Sequence, residues 1–152
     1  AEVFCHSSSE IGSPLATHKD IAKQARAFEN LAYVVSANTA GISGTAMPLA
    51  SADGNSQVVD YKGRIVAQSG DGETFAPIDL ASLRETRRVP AMTNYLARQR
   101  PALFAAAYAA AAEPFHGADG MMQQGEAAVP DRDYFKRAQE AVIDRMSKAG
   151  VI

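Results

Sequence analysis

Residues 19–38 read KDIAKQARAFENLAYVVSAN, and the fold turns on how this stretch divides. In its first part Ile21, Ala25, Phe28 and Ala32 recur at three- and four-residue intervals, the period of a helix with one apolar face. In its second part, residues 33–37 (YVVSA) form a short run containing two β-branched residues, the pattern of a buried strand. A helix that runs straight into a buried strand marks an α/β chain. Upstream, residues 1–6 place Val3 and Cys5 on one face and Glu2 and His6 on the other, a strand pattern from the first residue. Residues 7–14 (SSSEIGSP) read as the loop leaving that strand, and Thr17 with Asp20 resembles a helix cap.

Downstream of the deciding stretch lies a long loop, residues 38–55, with Gly41, Gly44, Pro48 and Gly54. Loops of that length are commonly functional. A meander is predicted next. Its strands are residues 56–60, 64–68 and 73–78, with turns at Lys62-Gly63 and at residues 69–72. A short helix over 81–88 follows Asp79 and stops near Pro90. Residues 109–130 read as a linker, and residues 131–152 as a C-terminal amphipathic helix with Tyr134, Ala138, Val142 and Met146 on one stripe and Gly150 at its end. There is no internal repeat.

Composition bounds the function. The chain has 152 residues, 47% of them hydrophobic and 21% charged, which matches an ordinary folded domain rather than a disordered one. Fifteen Lys and Arg face seventeen Asp and Glu, so the strong basic field that non-specific nucleic-acid binding needs is missing. The alanine-rich run 102–112 is too short to span a bilayer. One cysteine excludes an internal disulfide and favours a reducing compartment, so a cytoplasmic location is expected. The opening within a strand suggests the later portion of a longer protein.

Few residues carry chemistry by themselves. Cys5 is the single thiol, and His6 beside it points to the opposite face of the same strand, so the two cannot act as a pair. Cys5 is expected to be a buried small hydrophobe. His6, His18 and His116 lack a metal-ligand spacing. His6, at a strand end that opens into a polar loop, is read either as structural or as facing a pocket. The run Ser7-Ser8-Ser9-Glu10 reads equally as a ligand-binding loop and as a solvated turn. No serine-hydrolase elbow, phosphate loop or dinucleotide fingerprint is present. Arg84, Arg87, Arg88, Arg98 and Arg100 crowd one stretch. Without aromatic stacking residues they read as ion-pairing surface arginines rather than a nucleic-acid face.

Several segments together resemble the nitrilase, or carbon–nitrogen hydrolase, superfamily. Arg26-Ala27-Phe28-Glu29-Asn30 leading to Tyr33-Val34-Val35-Ser36-Ala37-Asn38 is similar to that family's helix-then-strand signature. Gly54-Asn55-Ser56 stands where the family usually has glycine-histidine-serine. Val58-Val59-Asp60 with Lys62-Gly63-Arg64 is similar to its hairpin, and Asp79-Leu80 with residues 98–104 (RQRPALF) to its tail. Residues 6–14 resemble the pocket loop of the carbamoyl-amide branch. The resemblance covers residues 1–108.

What the resemblance implies is the C-terminal half of a four-layer αββα sandwich. The complete protein would hydrolyse a non-peptide amide, carbamoyl or nitrile bond through a glutamate, a lysine and a cysteine that all precede Ala1. No catalytic residue is carried onto this sequence. His6, Ser7, Ser8 and Asn38 are the expected substrate-binding wall, and Glu29 and Asn30 are expected to brace the helix against neighbouring loops. The implied partners are the small-molecule substrate, the missing N-terminal half on the same or a separate chain, and a second copy in a homo-oligomer. Neither a nucleic acid nor a membrane is implied, and no metal or organic cofactor. A truncated, non-catalytic homologue acting as a binding or assembly module is the alternative.

Overall fold

The computed structural model describes residues 1–9, 18–46, 48, 52, 54–70, 72–115, 122–123, 126–127, 131 and 133–150, of which 110–115, 122–123, 126–127 and 135 are described by their backbone alone. The chain forms two compact units, Ala1–Gln99 and Arg100–Ile152. Residues 10–17, including the Thr17 cap, lie outside the described residues.

In the first unit the strand, helix and strand read from the sequence are β1 (Val3–Ser8), α1 (His18–Glu29) and β2 (Tyr33–Asn38). β1 and β2 pair in parallel, Val3 opposite Tyr33 and Ser8 opposite Asn38. A parallel pair needs a crossover, and α1 supplies it. β3 (Ser56–Val59) adds antiparallel to β2, and β4 (Ile65–Ser69) adds antiparallel to β3, giving the order β1-β2-β3-β4.

The β3–β4 turn shows how local sequence closes a hairpin. Asp60 Oδ1 accepts from the backbone N–H groups of Lys62 and Arg64, and its Oδ2 accepts from Arg64 Nε at 2.8 Å. Burial pushes the Asp60 carboxyl up, but these hydrogen bonds outweigh it and hold the group below the usual carboxylate range. Gly63 takes φ +79°, and a Cβ there would stand 3.2 Å from the Gln24 carbonyl of α1. Gln24 Nε2 in turn donates to the Gly63 carbonyl at 3.0 Å, so the turn is bolted to the helix.

Two small cores lie on opposite faces of the sheet. Ala27 of α1 packs on Val34 and Val59. On the other face Leu83 packs with Tyr33 and Tyr61, and Val3 leans against them. Leu83 belongs to α2 (Leu80–Arg88), whose N-cap Asp79 accepts from Ser82 N at 2.9 Å. Asp79 N donates to Tyr33 Oη, which ties the start of α2 to β2. Arg87 donates to the carbonyls of Ala1, Asn30 and Leu31, and Arg84 clasps Glu2 through two bonds of 2.7 and 2.8 Å. Two of the crowded arginines thus hold the start of β1 and the end of α1. A further short helix, α3 (Tyr95–Arg98), follows Asn94. The buried Asn94 amide donates to the carbonyls of Arg87 and Val89.

Three expectations about burial and strand pairing in this unit are corrected. The buried side of α1 is Asp20, Lys23 and Ala27, whereas Ile21 is 59% exposed. The apolar spacing was real, but the helix turns a polar stripe inward because that stripe is satisfied by hydrogen bonds from the sheet. Residues 73–78 form no strand. Pro77 lacks an N–H to donate, and Phe75 is 80% exposed, so nothing draws the segment onto the free edge of β4. Cys5 is exposed rather than buried, because α2 covers only the Tyr33 end of its face.

In the second unit α4 (Pro101–Phe115) starts with proline at its first position, where the missing N–H is harmless. The stretch read as a linker from 109 is therefore helical through Phe115, and beyond it β5 (Met122–Gln123) pairs with β6 (Glu126–Ala127). α5 (Tyr134–Lys148) carries the expected stripe: Tyr134, Ala138, Val142 and Met146 are all half-buried. Gly150, at φ +70°, donates to the Ser147 carbonyl just past the helix end. No described helix is long and apolar enough to cross a membrane.

Candidate functional site

The parallel register of β1 and β2 brings the ends of both strands to one place. Ser8 and Asn38 are thirty residues apart in sequence and directly opposite in the sheet. Ser8 Oγ donates to Asn38 Oδ1 at 3.0 Å. The Asn38 N–H donates to Ser56 Oγ at 3.1 Å, and Thr39 N–H to the Ser8 carbonyl at 3.2 Å. Gly41 N–H donates to the Ala52 carbonyl at 2.8 Å, closing the base of the long loop beside them. The result is a cluster of short polar side chains at the carboxyl ends of the strands, where ligands of open α/β sheets bind.

One turn back along β1, His6 Nδ1 and Ser36 Oγ of β2 are 2.9 Å apart. His6, Ser8 and Phe4 share the α1 side of the sheet. They line a cavity of about 680 Å³ whose opposite wall is α1. Of the four residues expected in the substrate-binding wall, His6, Ser8 and Asn38 therefore lie on one side of the sheet. Ser7 alternates to the other side with Cys5, away from that cavity. Glu29 and Asn30 act locally: Glu29 accepts from Arg26 at 3.1 Å, and the Asn30 amide donates to the Arg26 carbonyl. They finish α1 instead of reaching a loop.

A second polar group sits under the sheet, and the sequence reading missed most of it. Asp20 is 4% exposed, and Lys23 Nζ lies 3.6 Å from its Oδ1. Asn55 Nδ2 and Gln57 Nε2 both donate to the Asp20 carboxylate, and Gln57 also donates to Asn55 Oδ1. Gln68 Nε2 of β4 donates to the same Asn55 oxygen. Asn55, at φ +50°, thus pins the end of the long loop to α1. Burying a carboxylate is tolerable only with such partners. The sequence signal was available in the spacing of Asp20, Lys23 and Ala27 at helical intervals, but charged residues at those positions read as solvent-facing.

Among the described residues no group of three or more His, Cys, Asp and Glu is placed to hold a metal ion. Cys5 has no described base within bonding distance, and His6 stands on the far side of the strand. The described residues hold partners for a ligand but no assembled nucleophile.

Residues 1–88 match the family model described as carbon-nitrogen hydrolase. Among solved structures, the chain is similar to the NitFhit protein of C. elegans. The identity is 32% and the TM-score 0.54, over 68% of this chain and 24% of that one. It is also similar to a carbon-nitrogen hydrolase from Helicobacter pylori G27, with 22% identity and a TM-score of 0.54, over 69% of this chain and 40% of that one. The chain thus spans less than half the length of either structure. No curated protein matches it.

Proposed function

This chain belongs to the carbon–nitrogen hydrolase family, and from that premise we propose that it is the later part of an enzyme that hydrolyses a non-peptide amide, carbamoyl or nitrile bond. The observation that carries the reading is the family match over residues 1–88, which runs through the whole four-stranded sheet and α2. In this proposal the complete protein is a four-layer αββα sandwich, and the present sheet is one of its two inner layers.

The chemistry belongs to residues preceding Ala1. A glutamate takes the proton of a cysteine thiol, and the thiolate attacks the substrate carbon. A lysine ammonium and backbone N–H groups stabilise the developing negative charge. With an amide or carbamoyl substrate the glutamate returns its proton to the departing ammonia or amine, and water then hydrolyses the thioester. With a nitrile the thiolate adds to give a thioimidate, and ammonia leaves only after water has added to it. This chain contributes part of the pocket wall. Ser8 and Asn38, already bonded to each other at the strand ends, offer a hydroxyl and an amide to a polar substrate group. His6 stands behind them, while Ser7 lies on the opposite face of the sheet, outside this wall. A cytoplasmic homo-oligomer is proposed with it, the lone cysteine suiting a reducing compartment.

The test is ammonia or amine release by the complete protein from a panel of amides, carbamoyl compounds and nitriles. Ser8→Ala and Asn38→Ala are expected to raise KM by about tenfold, the effect of one lost hydrogen bond. Cys5→Ala is expected to keep the full rate, while alkylation still abolishes it. Absence of turnover on all three classes, or loss of turnover with Cys5→Ala, overturns the reading.

A further inference from the structure

The polar network under the sheet and the strand-end cluster are joined through Asn55. The registered pairs between β2 and β3 end at Ser36 and Gln57. Beyond that pair the Asn38 N–H donates to the Ser56 hydroxyl at 3.1 Å. Whatever fixes Ser56 therefore fixes the backbone of Asn38, and with it the Asn38 side chain that accepts from Ser8.

The residue before Ser56 is gripped by three elements. Asn55 Nδ2 donates to both oxygens of Asp20 in α1 at 3.4 Å. Asn55 Oδ1 accepts from Gln57 of β3 at 3.2 Å and from Gln68 of β4. Both ends of the amide are thus used. The backbone of Asn55 is left-handed, at φ +50°, a conformation that asparagine tolerates better than most residues and glycine best. Gly54 before it is also left-handed, and a Cβ there would run into the Gly70 carbonyl just past β4. The end of the long loop is therefore seated against β4, while its side-chain anchor lies on α1. Asp20 and its partner Lys23 are both buried, so the anchor is itself fixed.

We propose that Asn55 is a positioning residue for the substrate wall: it carries the hold of the buried Asp20 carboxylate through Ser56 to Asn38, and so sets where Asn38 and Ser8 stand. This rests on the proposed reading of Ser8 and Asn38 as part of that wall, and adds what keeps them in place. Asn55 acts through Ser56 and not on the substrate.

The experiment is hydrogen–deuterium exchange on the complete protein. It is read at the peptide holding Asn38, Thr39 and Gly41, whose N–H groups donate to Ser56 Oγ, the Ser8 carbonyl and the Ala52 carbonyl. Asn55→Gly keeps the left-handed backbone and removes the amide. It is expected to speed exchange in that peptide about tenfold, while residues 33–37 exchange as before. Asn55→Asp sets a carboxylate against Asp20 and is expected to do the same. Adding Asp20→Asn to it exchanges donor and acceptor across the pair, and is expected to return exchange to within about threefold of the native rate. Gln24→Ala, which frees the β3–β4 turn from α1 instead, is expected to leave the peptide unchanged. Unchanged exchange in Asn55→Gly, or no recovery in the double variant, overturns the proposal. On whichever amide, carbamoyl compound or nitrile the native protein turns over, Asn55→Gly is expected to raise KM about tenfold with kcat within about threefold, and Gln24→Ala to change neither. A fall in kcat at unchanged KM also overturns it. The failures separate: faster exchange in Asn55→Gly, with no turnover of any of the three classes by the native protein, sinks the hydrolase reading alone. Turnover with exchange unchanged sinks the positioning role alone.

Discussion

The middle strands and the outer strands of the sheet are built from similar residues and meet opposite fates. In β2 and β3, Tyr33, Val34, Val58 and Val59 are at most 4% exposed. In β1 and β4, Phe4 is 37%, Ile65 38% and Val66 45% exposed, and Cys5 is open to solvent. Apolarity did not decide which residues were buried. The middle strands have a neighbour on each edge and a helix across a face, while β1 and β4 each have an edge that no described strand pairs. The rim therefore holds the exposed apolar surface of the sheet, and the centre holds the buried residues that stabilise it.

That contrast can be broken most forcefully at Asp20, under the central strands. Asp20→Ala removes the buried carboxylate shared by the Lys23 ammonium and the amides of Asn55 and Gln57, and is expected to cost roughly 4 kcal/mol, whereas Glu29→Ala, at the half-exposed acid of the same helix, costs less than about 0.5 kcal/mol. Equal shifts of the urea midpoint for the two variants would show that the centre is not special. Leu83→Ala, with no exposed surface to begin with, is expected to cost about 3 kcal/mol, and Val66→Ala on β4 under about 1 kcal/mol. A larger loss from Val66 would mean that this face of β4 is covered in solution.

Asp79→Ala tests a contribution that is local rather than central. It removes the cap of α2 and is expected to cost about 1 kcal/mol by thermal or urea unfolding. The smallest effect is electrostatic. Because the Asp60 carboxyl is held below its ordinary value, its contribution is fully present above the unfolded-chain value of about pH 4 and is lost as pH falls through the lower folded value. Asp60→Asn is expected to flatten the stability profile in that acid range only. A change in slope near neutral pH would implicate a different group.

The stretch 19–38 was legible as helix and strand because both periods are written in it over enough residues to count. The phase of the helix was not. Ile21 looked like core and Asp20 and Lys23 like surface, because burial of a charge depends on donors that arrive from residues 55 and 57. The missing strand at 73–78 and the exposed Cys5 have one cause: a strand pattern states a preference, and pairing or covering must come from elsewhere. Ser8 and Asn38 could be chosen as strand-end residues, but their hydrogen bond is a product of register across thirty positions.

By itself the sequence determined the local geometry: where the chain is helical or extended, the glycine in the left-handed turn at 63, the Asp79 cap, and the order of segments that mark the family. Those features depend on interactions within a few residues, so they survive reading one position at a time. Only the tertiary structure decided which side of α1 faces inward, which strands lie at the rim, and which polar groups share the strand ends. Each of those depends on contacts between residues far apart in the chain, whose free energy is present only once the sheet has formed.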